Sequence, residues 1–312
     1  MMSELKQDTG FIDLTVKLGR LKLKNPILVA SGTFGYAREM ASIVPLKELG
    51  GILPKTITQS PRPGNAPWRT VETSAGLLNA IGLDNDGIDY FLANHWPYLR
   101  ACGGDIIVSI AGKSHEDFVS LANRLNEADG IHAVELNISC PNVSGGVDFG
   151  TDPKRCFDVV ESCRKVLSCP IITKLTPNVT RIVDVAKAAQ DAGTDAVTCI
   201  NTVLGMAIDW RKRKPLLGNV VGGLSGPAIK PIALRCVYQV ASQVGVPVIG
   251  VGGIANLDDC MEFLVAGASA IQIGTANYYD PLASIKMIRG LPEAIAFLGA
   301  TSVKQVVGSL KT

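Results

Sequence analysis

The 312-residue sequence has few aromatic residues, only three histidines and no cysteine pair with the spacing of a metal site. Its histidines, His95, His115 and His132, form no H-E-x-x-H motif, and its eight cysteines contain no C-x-x-C pair. These absences argue against zinc and iron–sulfur sites. We therefore expect no metal ion in this chain and free thiols in a reducing compartment.

The sequence also lacks a large net charge and a targeting segment. The net charge is +2, and the one dense basic run, "RKRK" at 211–214, is more typical of a solvated loop than of a nucleic-acid surface. The first residues carry Lys, Glu and Asp where a signal peptide needs an apolar stretch. The uncharged run 236–257 contains Gln, Ser, Pro and several Gly residues, which favour a helix, a turn and a buried strand over a membrane span. We expect a cytoplasmic protein that binds neither nucleic acid nor membrane.

What is abundant is apolar sequence, at 47% of residues, with 19% charged and a mean hydropathy of +0.25. This composition is typical of a well-buried α/β protein. Short runs rich in Val and Ile, each bounded by Gly, Pro or polar residues, recur along the chain. They are 26–33, 50–57, 105–112, 132–139, 170–175, 196–202, 247–253 and 270–276.

Helix-period stretches separate most of these runs; one begins at Ser114 as N-cap, and another ends at Gly193. Apolar strands that alternate with helices predict a parallel sheet buried on both faces, and eight such units predict a (β/α)8 barrel. We expect a single domain over residues 1–312. The alternating segment around Gly19 predicts a small hairpin at the N-terminal end of the barrel.

Polar or glycyl residues end the predicted strands, and in a barrel these ends meet on the C-terminal face, where substrates bind. The glycines at the ends of runs seven and eight, Gly252, Gly253 and Gly274, predict a phosphate site. Residues 250–255 also satisfy the G-x-G-x-x-A fingerprint of dinucleotide-binding domains, but they lie in the seventh repeat, which disfavours that alternative. The strand-end residues are Ser31, Gly32, Lys55, Thr56, Ser109, Asn137, Cys140, Lys174, Asn201, Thr202, Gly252, Gly253, Gly274 and Thr275.

Three connections, 58–87, 140–153 and 203–231, are longer than a barrel loop needs, and we expect them to fold over the site. Cys140 opens the second, and Gly145 and Gly146 are candidate hinges of a lid. A thiol there is a candidate base, and a neighbouring lysine such as Lys55 would favour its thiolate form. The alternative is a small, half-buried apolar side chain at a strand end, which is the interpretation we give to Cys102, Cys199, Cys236 and Cys260.

Several long motifs resemble the class 1 dihydroorotate dehydrogenases over nearly the whole chain. They include "NPILVASGTFG", "LLNAIGLDNDG", "ELNISCPNVSGG", "TKLTPNVT", "GGLSGPAIKP" and "GASAIQIGTA". The form "SCPNVSGGVDFGTDP" and the lack of an N-terminal membrane-binding extension are more similar to the NAD-linked 1B subclass than to the fumarate-using 1A subclass or the membrane-bound class 2.

The resemblance implies a (β/α)8 barrel that binds FMN and oxidises dihydroorotate to orotate in pyrimidine biosynthesis, with Cys140 as the base. It also implies a homodimer within a heterotetramer, whose second subunit carries FAD and a [2Fe–2S] cluster and passes electrons to NAD+. The implied FMN contacts are Ser31, Lys55, Thr56, Ser109, Asn137, Lys174, Ile200, Gly226, Gly252, Gly253, Gly274 and Thr275. The implied substrate contacts are Lys55, Asn79, Ala80, Ile81, Gly82, Leu83, Asn137, Asn201 and Thr202.

One position departs from the family pattern, because Ser109 stands where relatives often carry an Asn that contacts the flavin. A hydroxyl offers fewer donors than an amide, so part of that contact is expected to be lost or bridged by water. The alternatives are an FMN enzyme for another dihydropyrimidine, a fumarate-linked dihydroorotate dehydrogenase and a non-catalytic flavin-binding barrel. Lys55 and Asn79 favour dihydroorotate, since its carboxylate calls for cationic or amide groups.

Overall fold

The computed structural model describes residues 12–139 and 149–311, so the predictions for Cys140, Gly145 and Gly146 lie outside the described residues. Sixteen strands are defined in this part of the chain. In chain order they are β1 (Val16–Leu18), β2 (Leu21–Leu23), β3 (Ile27–Val29), β4 (Gly51–Ile52), β5 (Thr70–Thr73), β6 (Gly76–Asn79), β7 (Ile107–Ile110), β8 (Ala133–Asn137), β9 (Ile171–Leu175), β10 (Ala196–Cys199), β11 (Val203–Met206), β12 (Ile208–Asp209), β13 (Lys214–Pro215), β14 (Val221–Ser225), β15 (Val248–Val251) and β16 (Ala268–Ile273).

The eight predicted apolar runs form one parallel sheet, in the order β4-β3-β16-β15-β10-β9-β8-β7. Parallel bridges from Ile52 to Ile106 and from Ile57 to Ile110 join the two outer strands. The amide of Ile57 donates to the carbonyl of Ser109 at 2.9 Å, and the amide of Ala111 donates to the carbonyl of Ile57 at 2.9 Å. The sheet therefore closes on itself, and the predicted (β/α)8 barrel is confirmed.

Helices cover the outside of the barrel. Ser114 accepts a hydrogen bond from the amide of Asp117, whose carboxylate accepts one from the amide of Ser114, as predicted for a capped N-terminus. Gly193 follows the helix at 182–191 with φ 93°, as predicted for its C-terminal end. The helices are α1 (Gly87–Tyr90), continued by a π turn (Phe91–His95) into α2 (Trp96–Ala101), then α3 (His115–Asn126), α4 (Pro153–Val166), α5 (Ile182–Asp191), α6 (Lys230–Ala241), α7 (Leu257–Ala266), α8 (Ala276–Tyr279), α9 (Ala283–Phe297) and α10 (Val303–Val306), with 3-10 turns at Arg38–Met40, Leu46–Glu48 and Pro227–Ile229.

The uncharged run 236–257 forms the second half of α6, a turn and the buried strand β15, as predicted. Within residues 12–139 and 149–311, no helix is both long and apolar enough to cross a membrane.

The predicted hairpin is β1 paired antiparallel with β2, with Val16 opposite Leu23. At its turn, the guanidinium of Arg20 contacts the carboxylate of Asp195 at 2.8 Å and donates to the carbonyls of Ser168 and Cys169. Because these three residues precede β9 and β10, the hairpin lies at the N-terminal end of the barrel, as expected.

Two of the long connections form a second sheet, which we call the cover. It is antiparallel, in the order β11-β14-β6-β5, and a short hairpin of β12 and β13 follows β11. The central pair sets Asn79 opposite Gly223. The sequence predicted that these connections cover the site, but it did not predict their strands.

Candidate active site

A cavity of about 580 Å³ lies between the C-terminal ends of the barrel strands and the cover. Its volume falls within the range of small-molecule sites. In the described part of the chain, residues at or just after the ends of every barrel strand except β7 line it. The opposite wall consists of residues 70, 72–77 and 79 of the cover, together with 81–84 and 225–227.

Most predicted site residues meet in this cavity. Those that line it are Ser31, Lys55, Thr56, Asn79, Ile81, Gly82, Leu83, Asn137, Lys174, Ile200, Asn201, Thr202, Gly226, Gly252, Gly253, Gly274 and Thr275.

Ser109 and Ala80 are placed off the cavity. Ser109 is fully buried inside the barrel, where its hydroxyl shares a 2.9 Å hydrogen bond with the hydroxyl of Thr56. Ala80 is buried in a small apolar cluster with Leu78 and Leu217 of the cover. Ser109 lies within β7, in register with Glu135 of β8, and so it stands one layer below the cavity floor. The proposed flavin contact of Ser109 and the substrate contact of Ala80 stay predictions.

Backbone amides at the ends of β15 and β16 form a group that we call the glycine cradle, defined by Gly252, Gly253, Gly274 and Thr275. Over residues 12–139 and 149–311, no protein acceptor pairs with the N–H groups of Gly253, Gly274 and Thr275. Gly253 has φ +77°, and a Cβ there would lie 2.6 Å from the amide nitrogen of Lys230. Three unpaired N–H groups on one rim of the cavity fit a phosphate group.

A group of amide and hydroxyl side chains, which we call the amide cluster, lies on the other side of the floor. The side-chain amide of Asn201 donates to the hydroxyl of Ser139 at 2.9 Å and to Asn137 Oδ1 at 3.3 Å. The hydroxyl of Ser139 donates to the same Asn137 oxygen at 3.1 Å, and Asn201 Oδ1 accepts from the amide of Thr202. Asn79 joins them from the cover. This cluster presents fixed donors and acceptors that match the amide edges of a planar heterocycle.

Two lysines bring positive charge to the cavity. No carboxylate in the described ranges forms an ion pair with Lys55. Of the three acids that line the cavity, Asp84 is paired with Arg69 at 2.9 Å, Asp280 is paired with Lys286 at 2.6 Å, and Glu72 is exposed on β5 of the cover, away from the floor. Lys174 lines the floor and is nearly buried. The cavity therefore favours an anionic ligand.

A buried acid under the floor was not predicted. Glu135 is fully buried in the middle of β8, two residues before Asn137, and its carboxylate accepts hydrogen bonds across the barrel interior from Thr198 on β10 and Gln272 on β16. The available signal was a charged residue inside the apolar run "AVELN".

The described cysteines lie away from the cavity lining. Burial raises the pKa of Cys156, Cys163 and Cys260 to about 12, and it also raises the pKa of Cys199. These thiols stay protonated at neutral pH and act as core side chains, as predicted for Cys199 and Cys260.

Comparison with known proteins gives the same family over almost the whole chain. The family model for dihydroorotate dehydrogenase matches residues 13–295. The chain is 49% identical over 300 residues to the dihydroorotate dehydrogenase B (NAD(+)) catalytic subunit of Phocaeicola vulgatus, covering 96% of this chain and 99% of the relative. It is 48% identical over 299 residues to the protein with the same description in Desulforamulus reducens, covering 96% and 98%.

The corresponding catalytic subunit of Geotalea uraniireducens is 48% identical over 304 residues, covering 97% of this chain and 100% of the relative. The predicted similarity to the NAD-linked subclass is thus confirmed. By its barrel, by its motifs and by these full-length matches, the chain belongs to the dihydroorotate dehydrogenase family.

Proposed function

We propose that this chain is the catalytic subunit of an NAD-linked dihydroorotate dehydrogenase, which oxidises dihydroorotate to orotate in pyrimidine biosynthesis with FMN in the cavity. The names of the relatives support the reaction and the acceptor. The observation that carries the proposal is that one cavity holds the glycine cradle, two lysines and the amide cluster. Each of these three groups matches a different part of a flavin and a pyrimidine acid.

The residues present fit FMN. The unpaired N–H groups of the glycine cradle would hold its phosphate, and Lys174 and Asn137 would contact its ring from the floor. A lysine beside the ring stabilises the negative charge that a reduced flavin carries. When bound, FMN supplies the acceptor for the hydride that leaves the substrate ring.

The amide cluster orients the substrate. Asn137 and Asn201 are already joined by hydrogen bonds, so their outer donors and acceptors are preorganised for the amide edges of the pyrimidine ring. Lys55, which has no ion pair within residues 12–139 and 149–311, is the cation for the substrate carboxylate, and Asn79 lines the same cavity from the cover.

Cys140 would take the proton from the ring carbon next to the one that loses the hydride. It directly follows Ser139, the last described residue of this segment, whose hydroxyl and carbonyl both accept hydrogen bonds from Asn201. The substrate-binding amides thereby anchor the chain on which the base stands. The other thiols, where described, lie off the cavity lining.

Electrons leave through a second subunit that carries FAD and a [2Fe–2S] cluster. The relatives are named as catalytic subunits, and this sequence contains no cysteine set with iron–sulfur spacing. A homodimer of this chain is supported by exposed apolar residues on the cover and its hairpin, including Met206, Ile208 and Trp210. Isolation of the chain as a fully active, NAD-independent monomer would contradict this assembly.

The test of the base compares Cys140→Ala with the wild type and with Cys102→Ala, which removes a thiol at the end of α2. We expect all three proteins to bind FMN. With dihydroorotate under anaerobic conditions, wild type and Cys102→Ala should bleach at similar rates, and Cys140→Ala should bleach at least a hundredfold more slowly, as for the loss of a general base. Equal rates in wild type and Cys140→Ala would assign the base to another group.

A further inference from the structure

A buried charge pair joins the cavity floor to the barrel interior, and only its lysine has a role in the steps above. Its acid is Glu135 on β8, with no exposed surface, and its base is Lys174 on β9, whose side chain is 7% exposed. The distance from Lys174 Nζ to Glu135 Oε1 is 3.9 Å. An ionised carboxylate this deep in a barrel requires both hydrogen bonds and a counter-charge.

The barrel supplies both. Glu135 Oε2 accepts from the side-chain amide of Gln272 on β16 at 2.8 Å and from the hydroxyl of Thr198 on β10 at 3.1 Å. Glu135 Oε1 accepts a longer bond, 3.4 Å, from the hydroxyl of Ser109 on β7. Among the ion pairs of the described chain, Lys174 is the one cation that reaches this carboxylate.

The 3.9 Å separation is longer than a hydrogen bond, so Glu135 acts on the ammonium by charge and leaves its donors available. Over the described ranges, no protein oxygen accepts a hydrogen bond from Lys174 Nζ, although the residue lines the cavity. Lys174 is thus held from below by a fixed negative charge, while its N–H groups are available to a ligand on the floor.

We propose that Glu135 is a positioning residue that moderates the charge of Lys174 and thereby sets the midpoint potential of the flavin bound above it. The inference rests on the proposed function, because it requires FMN in the cavity. A lone ammonium at the ring would stabilise the reduced, anionic flavin strongly. The carboxylate offsets part of that effect and keeps the potential lower, which favours the onward transfer of electrons.

The variant that isolates the charge is Glu135→Gln. Gln keeps an acceptor oxygen toward Lys174, and its new NH2 group would face Thr198 and Gln272. Gln272 can adapt, because its Oε1 is buried without a partner in the described structure and a flip of its amide would aim that oxygen at the new NH2 group. The change therefore removes a charge and conserves the hydrogen bonding.

The measurement is the FMN midpoint potential at pH 7, by anaerobic spectroelectrochemistry of the purified holoprotein. We expect Glu135→Gln to bind reduced FMN about tenfold more tightly relative to oxidised FMN, which is a shift of about +30 mV for a two-electron couple. The matched control is Thr198→Val, which removes one donor to the same carboxylate and keeps the charge, and we expect its potential to equal that of wild type.

An unchanged or lower potential in Glu135→Gln would overturn the inference, and so would an equal shift in Thr198→Val. If Glu135→Gln does not fold, Glu135→Asp is the second test, because its side chain is one methylene shorter and its charge lies farther from Lys174. A smaller positive shift of the FMN midpoint potential in Glu135→Asp would support the inference, and an unchanged potential would overturn it. A wild type without FMN would instead refute the proposed function. If the wild type binds FMN and bleaches with dihydroorotate, but Glu135→Gln has the wild-type midpoint potential, the inference is refuted and the proposed function stands.

Discussion

The floor of the cavity and its cover are built from different kinds of structure. The floor consists of side chains on parallel strands that are buried on both faces. Its Lys174 and the Glu135 beneath it are both buried. The cover is an antiparallel sheet of short strands that exposes Leu204, Met206 and Val221. The floor is therefore suited to hold a cofactor in fixed geometry, and the cover to adjust around a substrate.

The largest expected effect comes from a substitution at Gly253 in the glycine cradle. A side chain there would require an unfavourable φ of +77° and would collide with the backbone of Lys230, so Gly253→Val should displace the glycine cradle. We expect FMN affinity to fall roughly a hundredfold, as for a displacement of about 1 Å in a binding site. The measurement is the amount of FMN that the protein retains after gel filtration. A fluorescence titration of the apoprotein with FMN then gives the affinity.

The control for this variant is Gly299→Ala. Gly299 also has a positive φ, +71°, but no atom lies within 4 Å of its Cβ position, and it follows α9 outside the cavity lining. It should lose a little stability and keep its FMN. If both variants lose FMN equally, general destabilisation and not the cradle explains the result.

A smaller effect is expected from displacing the cover. A Cβ at Gly223 of β14 would overlap the hydroxyl of Thr202, so Gly223→Ala should push the cover away from the floor. Because the glycine cradle is untouched, we expect normal FMN content and a KM for dihydroorotate raised roughly tenfold, which corresponds to about 1.4 kcal/mol.

Gly205→Ala is the matched change on β11, where the nearest atom to the new Cβ is the side-chain carbon Leu78 Cδ2 at 3.1 Å. Its KM should stay within about twofold of wild type, since a flexible side chain can move aside. Loss of FMN in Gly223→Ala would show that floor and cover are not separable.

The division between floor and cover also marks what the sequence predicts. The barrel strands were predictable because buried parallel strands are continuous apolar runs, and strand ends give the cavity residues directly. The cover strands were not, because "TVET" and "VGGLS" carry no apolar run or alternation and pair only after the barrel brings them together.

The layer of the barrel interior in which a side chain lies is the second feature that the sequence does not predict. The sequence predicts Ser109 at a strand end, yet β7 continues to Ile110 and Ser109 lies in the layer of Glu135. A shift of one layer in a barrel moves a side chain from the cavity to the interior below it. Residue type alone does not give that layer, since it depends on the register between strands.

The smallest expected difference between a variant and the wild type concerns the barrel shell at alkaline pH. Burial raises the pKa of Cys156, Cys163 and Cys260 from 9.0 to about 12. The folded protein keeps protons that the unfolded chain releases, so stability is complete below about pH 9 and falls as the pH rises from there toward 12. Each such thiol contributes a slope of about 1.4 kcal/mol per pH unit.

Urea unfolding at pH 8, 9 and 10 measures this slope. In Cys260→Ala the protein is less stable at every pH, because a core side chain is shortened, but its stability should fall less steeply above pH 9. Val159→Ala, which shortens a buried side chain that does not titrate, should keep the wild-type slope. Equal slopes in all three proteins would contradict the raised thiol pKa values.

The most direct measurement is an anaerobic titration of the purified wild-type protein with dihydroorotate, followed by the visible flavin spectrum, with dihydrouracil as the parallel ligand. A floor that holds FMN under a site for a pyrimidine acid predicts that one equivalent of dihydroorotate bleaches the flavin and that dihydrouracil does not. A yellow protein that dihydroorotate leaves oxidised, or that dihydrouracil bleaches instead, would contradict it.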